Sequence, residues 1–203
     1  MAPTNDTRKR APDERRRNQR ARDVILAASL ELLDREGFRA LTVEAIAAHA
    51  GVGKATIYRW WSGKAAVVMD AVGERLDPEI SFPDTGSARE DLRLQLESVI
   101  ELFTTARAGK AYLALIAESQ HDPALGEALG ERYIAARRAA AATVFERGIA
   151  RGELRSDLDI GIAIDALYGA IYYRLLVSGA HTNPAYAEQL LRQLYPAMVR
   201  RGG

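Results

Sequence analysis

From Asp23 onward, apolar residues recur at the spacing of helix faces, and the polar and glycine positions between them mark where each helix stops. Ile25, Ala28, Ser29, Leu32 and Leu33 share one face, and Gly37 stands where that helix should end. Thr42 is placed to cap a second short helix, with Val43, Ile46, Ala47 and Ala50 inward and Gly51 closing it. A third helix is expected over 54–61 and a fourth over 64–76. Pro78, Pro83 and Gly86 make 77–86 the clearest break in the chain, and it is taken as the domain boundary. Beyond it the pattern predicts helices over 88–106, 111–119, 123–151, 157–178 and 184–200, of which 157–178 is apolar nearly all round. No glycine-bounded alternation of β-branched residues occurs, so strands should be few or absent. The expected fold is all-α: a flexible basic arm over 1–20, a three-helix helix-turn-helix domain with its connecting helix over 21–76, and a larger helical domain over 77–203.

Composition narrows the function classes. The chain is 48% hydrophobic and 27% charged, the balance of a folded protein rather than a disordered one. It has no cysteine, which removes disulfides, thiolate metal sites and cysteine nucleophiles together. His49, His121 and His181 are too scattered to suggest a metal site, and no cofactor motif is present. The polar N-terminus lacks an export signal, so a cytoplasmic protein is expected. The run 158–177 is interrupted by Asp159, Asp165 and Arg174, which favours a buried helix over a membrane span. The net charge of +1 hides an asymmetry, for residues 1–64 carry 13 basic and 8 acidic side chains and the remainder carries the acidic excess. Such a basic end suits a polyanion, although a solvated tail accounts for the same arginines.

The segment 41–68 reads LTVEAIAAHAGVGKATIYRWWSGKAAVV. Two short helices joined by a tight turn at Gly51 let the second protrude, anchored by Val52, Ile57 and Trp61, while Lys54, Ala55, Thr56, Tyr58, Arg59 and Trp60 face outward toward a major groove. With Gly37-Phe38 before it and Lys64 after it, this segment resembles the DNA-binding domain of the tetracycline-repressor (TetR) family over about 50 residues. Two positions depart from the family pattern: Gly53 stands where serine is frequent, and Trp60-Trp61 where histidine or tyrosine precedes phenylalanine. The resemblance implies that Thr42, Thr56, Tyr58 and Lys64 bind phosphates and that Lys54, Ala55, Arg59 and Trp60 lie nearest the bases. That division agrees with phosphate contacts fixing register and groove contacts reading sequence. Thr42 acting only as a cap, and Tyr58 and Trp60 as surface-packed aromatics, remain open.

One such reader covers too few base pairs to select a site in a genome, so a homodimer on a palindromic double-stranded operator is expected. The resemblance places its interface in the last two long helices, 157–178 and 184–200, where Gly161, Gly169 and Ala170 allow close approach; a core helix in a monomer is the alternative. The family also implies a small-molecule inducer of unknown identity, and polar residues in apolar stretches make Tyr112, Glu118, His121, Asp165, Tyr168 and Tyr172 its candidate partners, each with an ordinary packing role as the alternative. The function read from the sequence is a ligand-responsive repressor. An activator or ligand-independent binder of the same fold is the second reading, and a small helical enzyme, for which no catalytic motif is present, is a distant third.

Overall fold

The spacing of apolar residues is realised as helix after helix: the computed structural model describes residues 10–76 and 82–200, and among these the only β-type pairing is one antiparallel bridge between Leu154 and Val199. The chain divides into two compact units between Ala71 and Val72, inside its fourth helix and ahead of the 77–86 breaker. The first unit comprises α1 (Arg10–Ala40), α2 (Val43–Ala50), α3 (Lys54–Tyr58) and the greater part of α4 (Lys64–Leu76). Residues 10–20, expected within the flexible arm, are instead the start of α1. They hold good helix formers and their described side chains are exposed, so no apolar stripe announces the helix in the sequence. The rest of that arm, 1–9, lies outside the described residues.

Helix α1 breaks at Gly37, whose φ of 77° glycine alone adopts without penalty. Thr42 accepts a hydrogen bond from Ala45 N at 3.0 Å and so caps α2, which Gly51 closes at φ 65°. Helix α3 is shorter than the expected 54–61, the chain from Arg59 to Trp61 continuing as a turn. Ile25, Leu41, Ile46, Ile57 and Trp61 fill the core, and Trp61 Nε1 donates to Asp70 Oδ2 at 2.8 Å, tying the segment after α3 to α4.

In the second unit α5 (Ala88–Thr105) packs against α6 (Arg107–Ser119), α8 (Ala135–Ala150) and α10 (Ala185–Leu194), with α7 (Pro123–Leu129) and α9 (Ile160–Tyr173) completing the assembly. The single helix expected over 123–151 is widened by a π-helical turn at Gly130–Ile134, and the one expected over 157–178 starts behind its cap Asp159 and closes in a second π-helical turn, Arg174–Ser178. The last helix ends at Leu194, well short of 200, because Pro196 lacks the N–H that would continue it. The start of α5 is fixed by a fully buried carboxylate, Asp91, which accepts from Thr85 N and Thr85 Oγ1 at 2.7 Å and lies 3.5 Å from Arg151 Nη2.

Candidate functional site

The first unit presents a polar surface built by α2 and α3. Ile57 faces the core, which turns Lys54, Ala55, Tyr58 and Arg59 outward, with Thr56 and Trp60 half-buried at the edges. Tyr58 is 54% exposed, far more than an aromatic ring gains by packing alone. Lys54 Nζ donates to Glu44 Oε1 at 3.0 Å, and this hydrogen bond, followed by a backbone bond and the lysine charge, holds the Glu44 carboxyl below its ordinary range. The Arg59 guanidinium lies over the Trp60 ring at 4.6 Å and donates to Asn18 Oδ1 at 3.2 Å, while Trp60 meets Trp61 edge-on. Lys64 is engaged elsewhere: its ammonium donates to Phe38 O at 3.0 Å and sits 4.5 Å from the Phe38 ring, closing the C-terminal end of α1.

The second unit holds a cavity of about 350 Å³ among its helices. Helix α5 contributes Gln95, Val99 and Phe103 at successive i, i+4 positions, α6 contributes Tyr112 and Ile116, and α9 contributes Ile164, Tyr168 and Tyr172 in the same way. Tyr133 comes from the first π-helical turn, followed by Arg137 and Arg138 from α8. Phe103 stacks on Tyr112 with ring centroids 5.6 Å apart, and Tyr112 meets Tyr133 at 4.6 Å. The Tyr168 hydroxyl donates to Gln95 Oε1, and Tyr112 is hydrogen-bonded to Tyr172. Burial above all, then the neighbouring tyrosines, pushes Tyr112 and Tyr168 well above the usual phenol range, and burial does the same for Tyr172, so all three stay neutral. The Arg137 charge acts against that shift at both Tyr112 and Tyr168 without overcoming burial.

Of the six ligand candidates read from the sequence, Tyr112, Tyr168 and Tyr172 line this cavity and Glu118, His121 and Asp165 do not. Asp165 follows Ile164 by one residue, a rotation that takes it off the lining face, and its carboxylate accepts instead from Arg138 Nη1. His121 is exposed in the turn after α6, and Glu118 lies two residues past Ile116, toward the far side of the helix. Gln95, Tyr133 and Arg137 were not anticipated. Gln95, 2% exposed between Leu92, Leu96 and Val99 of α5, is the one of these that the sequence signals.

A third feature is a stripe on α9 and its π-helical turn. Ile162, Ala166, Gly169, Tyr173 and Val177 recur at helical spacing and are all exposed, with Ile162 at 67% and Val177 at 71%. The segment Ile160–Ser178 is apolar and long enough to cross a membrane, yet it carries Asp165 and Arg174 and its opposite face lines the cavity.

Comparison with known proteins accounts for both units. Residues 25–71 match the model of bacterial regulatory proteins of the tetR family, and residues 82–194 match that of the tetracyclin repressor-like C-terminal domain. The transcriptional regulator YdeS of Bacillus subtilis is 40% identical over 89% of this chain and 91% of its own length. The DNA-binding transcriptional repressor TetR of Mycobacteroides abscessus is 27% identical over 88% of this chain and 94% of its own. The crystal structure of the TetR family regulator SCO0332, 34% identical, superposes with a TM-score of 0.75 over 89% of this chain and 99% of that one. The helix-turn-helix unit, the helical unit behind it and these relatives together establish that the chain belongs to the tetracycline-repressor family of DNA-binding transcriptional regulators, dimeric proteins whose typical action is ligand-responsive repression rather than catalysis.

Proposed function

We propose that this protein is a cytoplasmic repressor that holds a palindromic operator as a homodimer and releases it when a small molecule fills the aromatic cavity. The observation that carries this reading is the cavity itself, a largely apolar space with a few convergent polar groups, in the unit joined through α4 to the DNA-reading helices. In this reading 21–76 is the reader and 77–203 the sensor. Thr42, Thr56 and Tyr58 engage phosphates, and Lys54, Ala55, Arg59 and Trp60 approach the base edges. Lys64 supports them by fixing the end of α1, and its reach to phosphate is secondary to that role. Tyr112, Tyr168 and Tyr172 contact the inducer. The exposed stripe of α9, with α10, forms the dimer interface, which accounts for apolar side chains left in solvent in a single chain.

Footprinting on the DNA flanking the protein's own gene tests the reading. Two protected half-sites related by two-fold symmetry, with centres about 34–36 Å apart or a multiple of that, are expected. A single protected half-site would refute the dimeric operator, and operator binding indifferent to every cavity ligand would refute the release mechanism.

A further inference from the structure

We propose that the buried amide of Gln95 is the polar recognition point of the cavity, and that the ligand it selects is a flat aromatic molecule with a carbonyl acceptor, an aryl ketone in the simplest case, its oxygen on Gln95 Nε2 and its rings among Phe103, Tyr112 and Tyr172. This rests on the reading of the cavity as the inducer site and names the chemistry that the site selects.

Gln95 occupies a core position. It is 2% exposed, lies on α5 between Leu92, Leu96 and Val99, and borders the cavity. A glutamine amide offers one acceptor oxygen and two N–H donors, and burying such groups without partners costs stability that a leucine in the same place would not lose. The oxygen is answered, for Oε1 accepts from the Tyr168 hydroxyl. The Nε2 hydrogens have no acceptor among the described residues, and the side chain, shut off from bulk solvent, has the cavity beside it. Other polar groups of the lining are engaged within the protein: Tyr112 with Tyr172, Arg138 with Asp165, and the Arg137 guanidinium over the Tyr133 ring at 5.3 Å. Water answers a buried donor of this kind in an unliganded protein, and a ligand that displaces it keeps its affinity only by returning the hydrogen bond.

The cavity has a polar level and an aromatic one. Gln95 and Phe103 are two i, i+4 steps apart on α5, about 12 Å along the helix axis. At the first level Gln95 meets Tyr168 of α9; at the second Phe103 meets Tyr172 of α9 at 5.7 Å and stacks on Tyr112 of α6 at 5.6 Å, within 16° of parallel. Both levels join α5 to α9, so each holds its place relative to the other. A molecule filling about 350 Å³ therefore meets an amide donor toward one end and ring faces and edges toward the other. A flat aromatic with a terminal carbonyl satisfies both, and a saturated hydrocarbon satisfies neither. Tyr133 and Leu176 reach the lining from the two π-helical turns, a distortion frequent at functional sites.

The test uses the full-length protein and two probes of one shape, 2-acetylnaphthalene and 2-isopropenylnaphthalene, in which a methylene group replaces the carbonyl oxygen. Equilibrium dialysis gives their affinities. The ketone should bind about tenfold or more tightly than the alkene, which leaves the amide unpaired. Gln95→Met keeps the length of the side chain and removes the donor, so it should abolish that preference by weakening the ketone and sparing the alkene; Gln95→Leu provides a second variant, and thermal unfolding establishes which is folded. The infrared carbonyl band of the bound ketone should lie at lower frequency than in an apolar solvent, and a folded variant should bring it back. Equal or weaker binding of the ketone, no binding of it up to its solubility, a preference retained in a folded variant, or a carbonyl band indifferent to the substitution would each overturn the assignment. Operator release is read in parallel. The ketone bound with the expected preference but leaving the operator complex intact would support the ligand class and overturn the inducer role. Release by both probes alike would overturn the ligand class and support the inducer role.

Discussion

Thr42 shows how one side chain serves folding and recognition together. Its hydroxyl caps α2 at 3.0 Å from Ala45 N while remaining exposed on the surface assigned to DNA. Thr42→Ala should cost about 1 kcal/mol of stability as a lost cap, which confounds any effect on DNA. Thr42→Asp separates the roles, because aspartate is an equally good cap but places a negative charge against phosphate. Unchanged thermal unfolding with at least tenfold weaker operator binding is expected; wild-type affinity would reduce Thr42 to a cap. Glu44 makes the converse case. In the free protein it holds Lys54, and on the proposed reading an operator takes that lysine away from it. Glu44→Gln should therefore tighten operator binding several-fold, as Lys54 is released toward the base edges and a carboxylate is removed from a surface facing DNA. Fluorescence anisotropy measures the affinity, and an unchanged or weaker affinity would show that Lys54 does not contribute to operator binding.

The helices differ in how plainly the sequence declares them. Helix α2 was legible at both ends because Thr42 and Gly51 carry distinct backbone chemistry there. The start of α1 was not, since the side chains described there, 16–20, are all exposed and carry no apolar period. The π-helical turns at Gly130–Ile134 and Arg174–Ser178 were invisible for another reason: widening one turn changes the bonding of the backbone without changing the kind of residue needed. The same limit governed the cavity. Tyr112, Tyr168 and Tyr172 were found because a tyrosine within an apolar stretch is conspicuous, but a polar residue on a helix does not declare which way it faces, and so Asp165 was included and Arg137 missed. Helix contacts set by glycine are testable directly. A methyl group at Gly109 would lie 2.2 Å from Leu102 O and 2.9 Å from the Cα of Phe103, so α6 touches the backbone of α5 beside a cavity wall. Gly109→Ala should destabilise the protein by about 1–3 kcal/mol through overpacking, visible as a lower urea midpoint. A variant with wild-type stability would mean that this contact relaxes freely.

Assembly is where the basic N-terminal residues, the groove-reading helix and the apolar stripe acquire a common purpose. A chain whose acidic excess lies after residue 64 brings its cations to DNA at one end, and pairing two chains doubles that contact without enlarging either reader. The pairing surface must then tolerate solvent before assembly and exclude it afterwards. In the proposed interface Ile162, Tyr173 and Val177, all exposed in the single chain, would supply the apolar area, and Ala166 and Gly169 between them would leave room for a partner helix. Gly169 is the sharpest probe of this arrangement. A Cβ added there meets nothing within 4 Å of the chain itself, so Gly169→Arg should leave a single chain folded, with its melting transition retained and its guanidinium in water. In the assembled pair the same side chain would be forced into a close helix contact and desolvated without a partner, at a cost of several kcal/mol, of order 3–5. Sedimentation at low micromolar concentration should then show a folded monomer. Operator affinity should fall far more than for any single reading-helix substitution, because each half-site would have to be bound without help from the other. A folded Gly169→Arg protein that still sediments as a dimer would place the interface elsewhere and leave the exposed stripe of α9 unexplained.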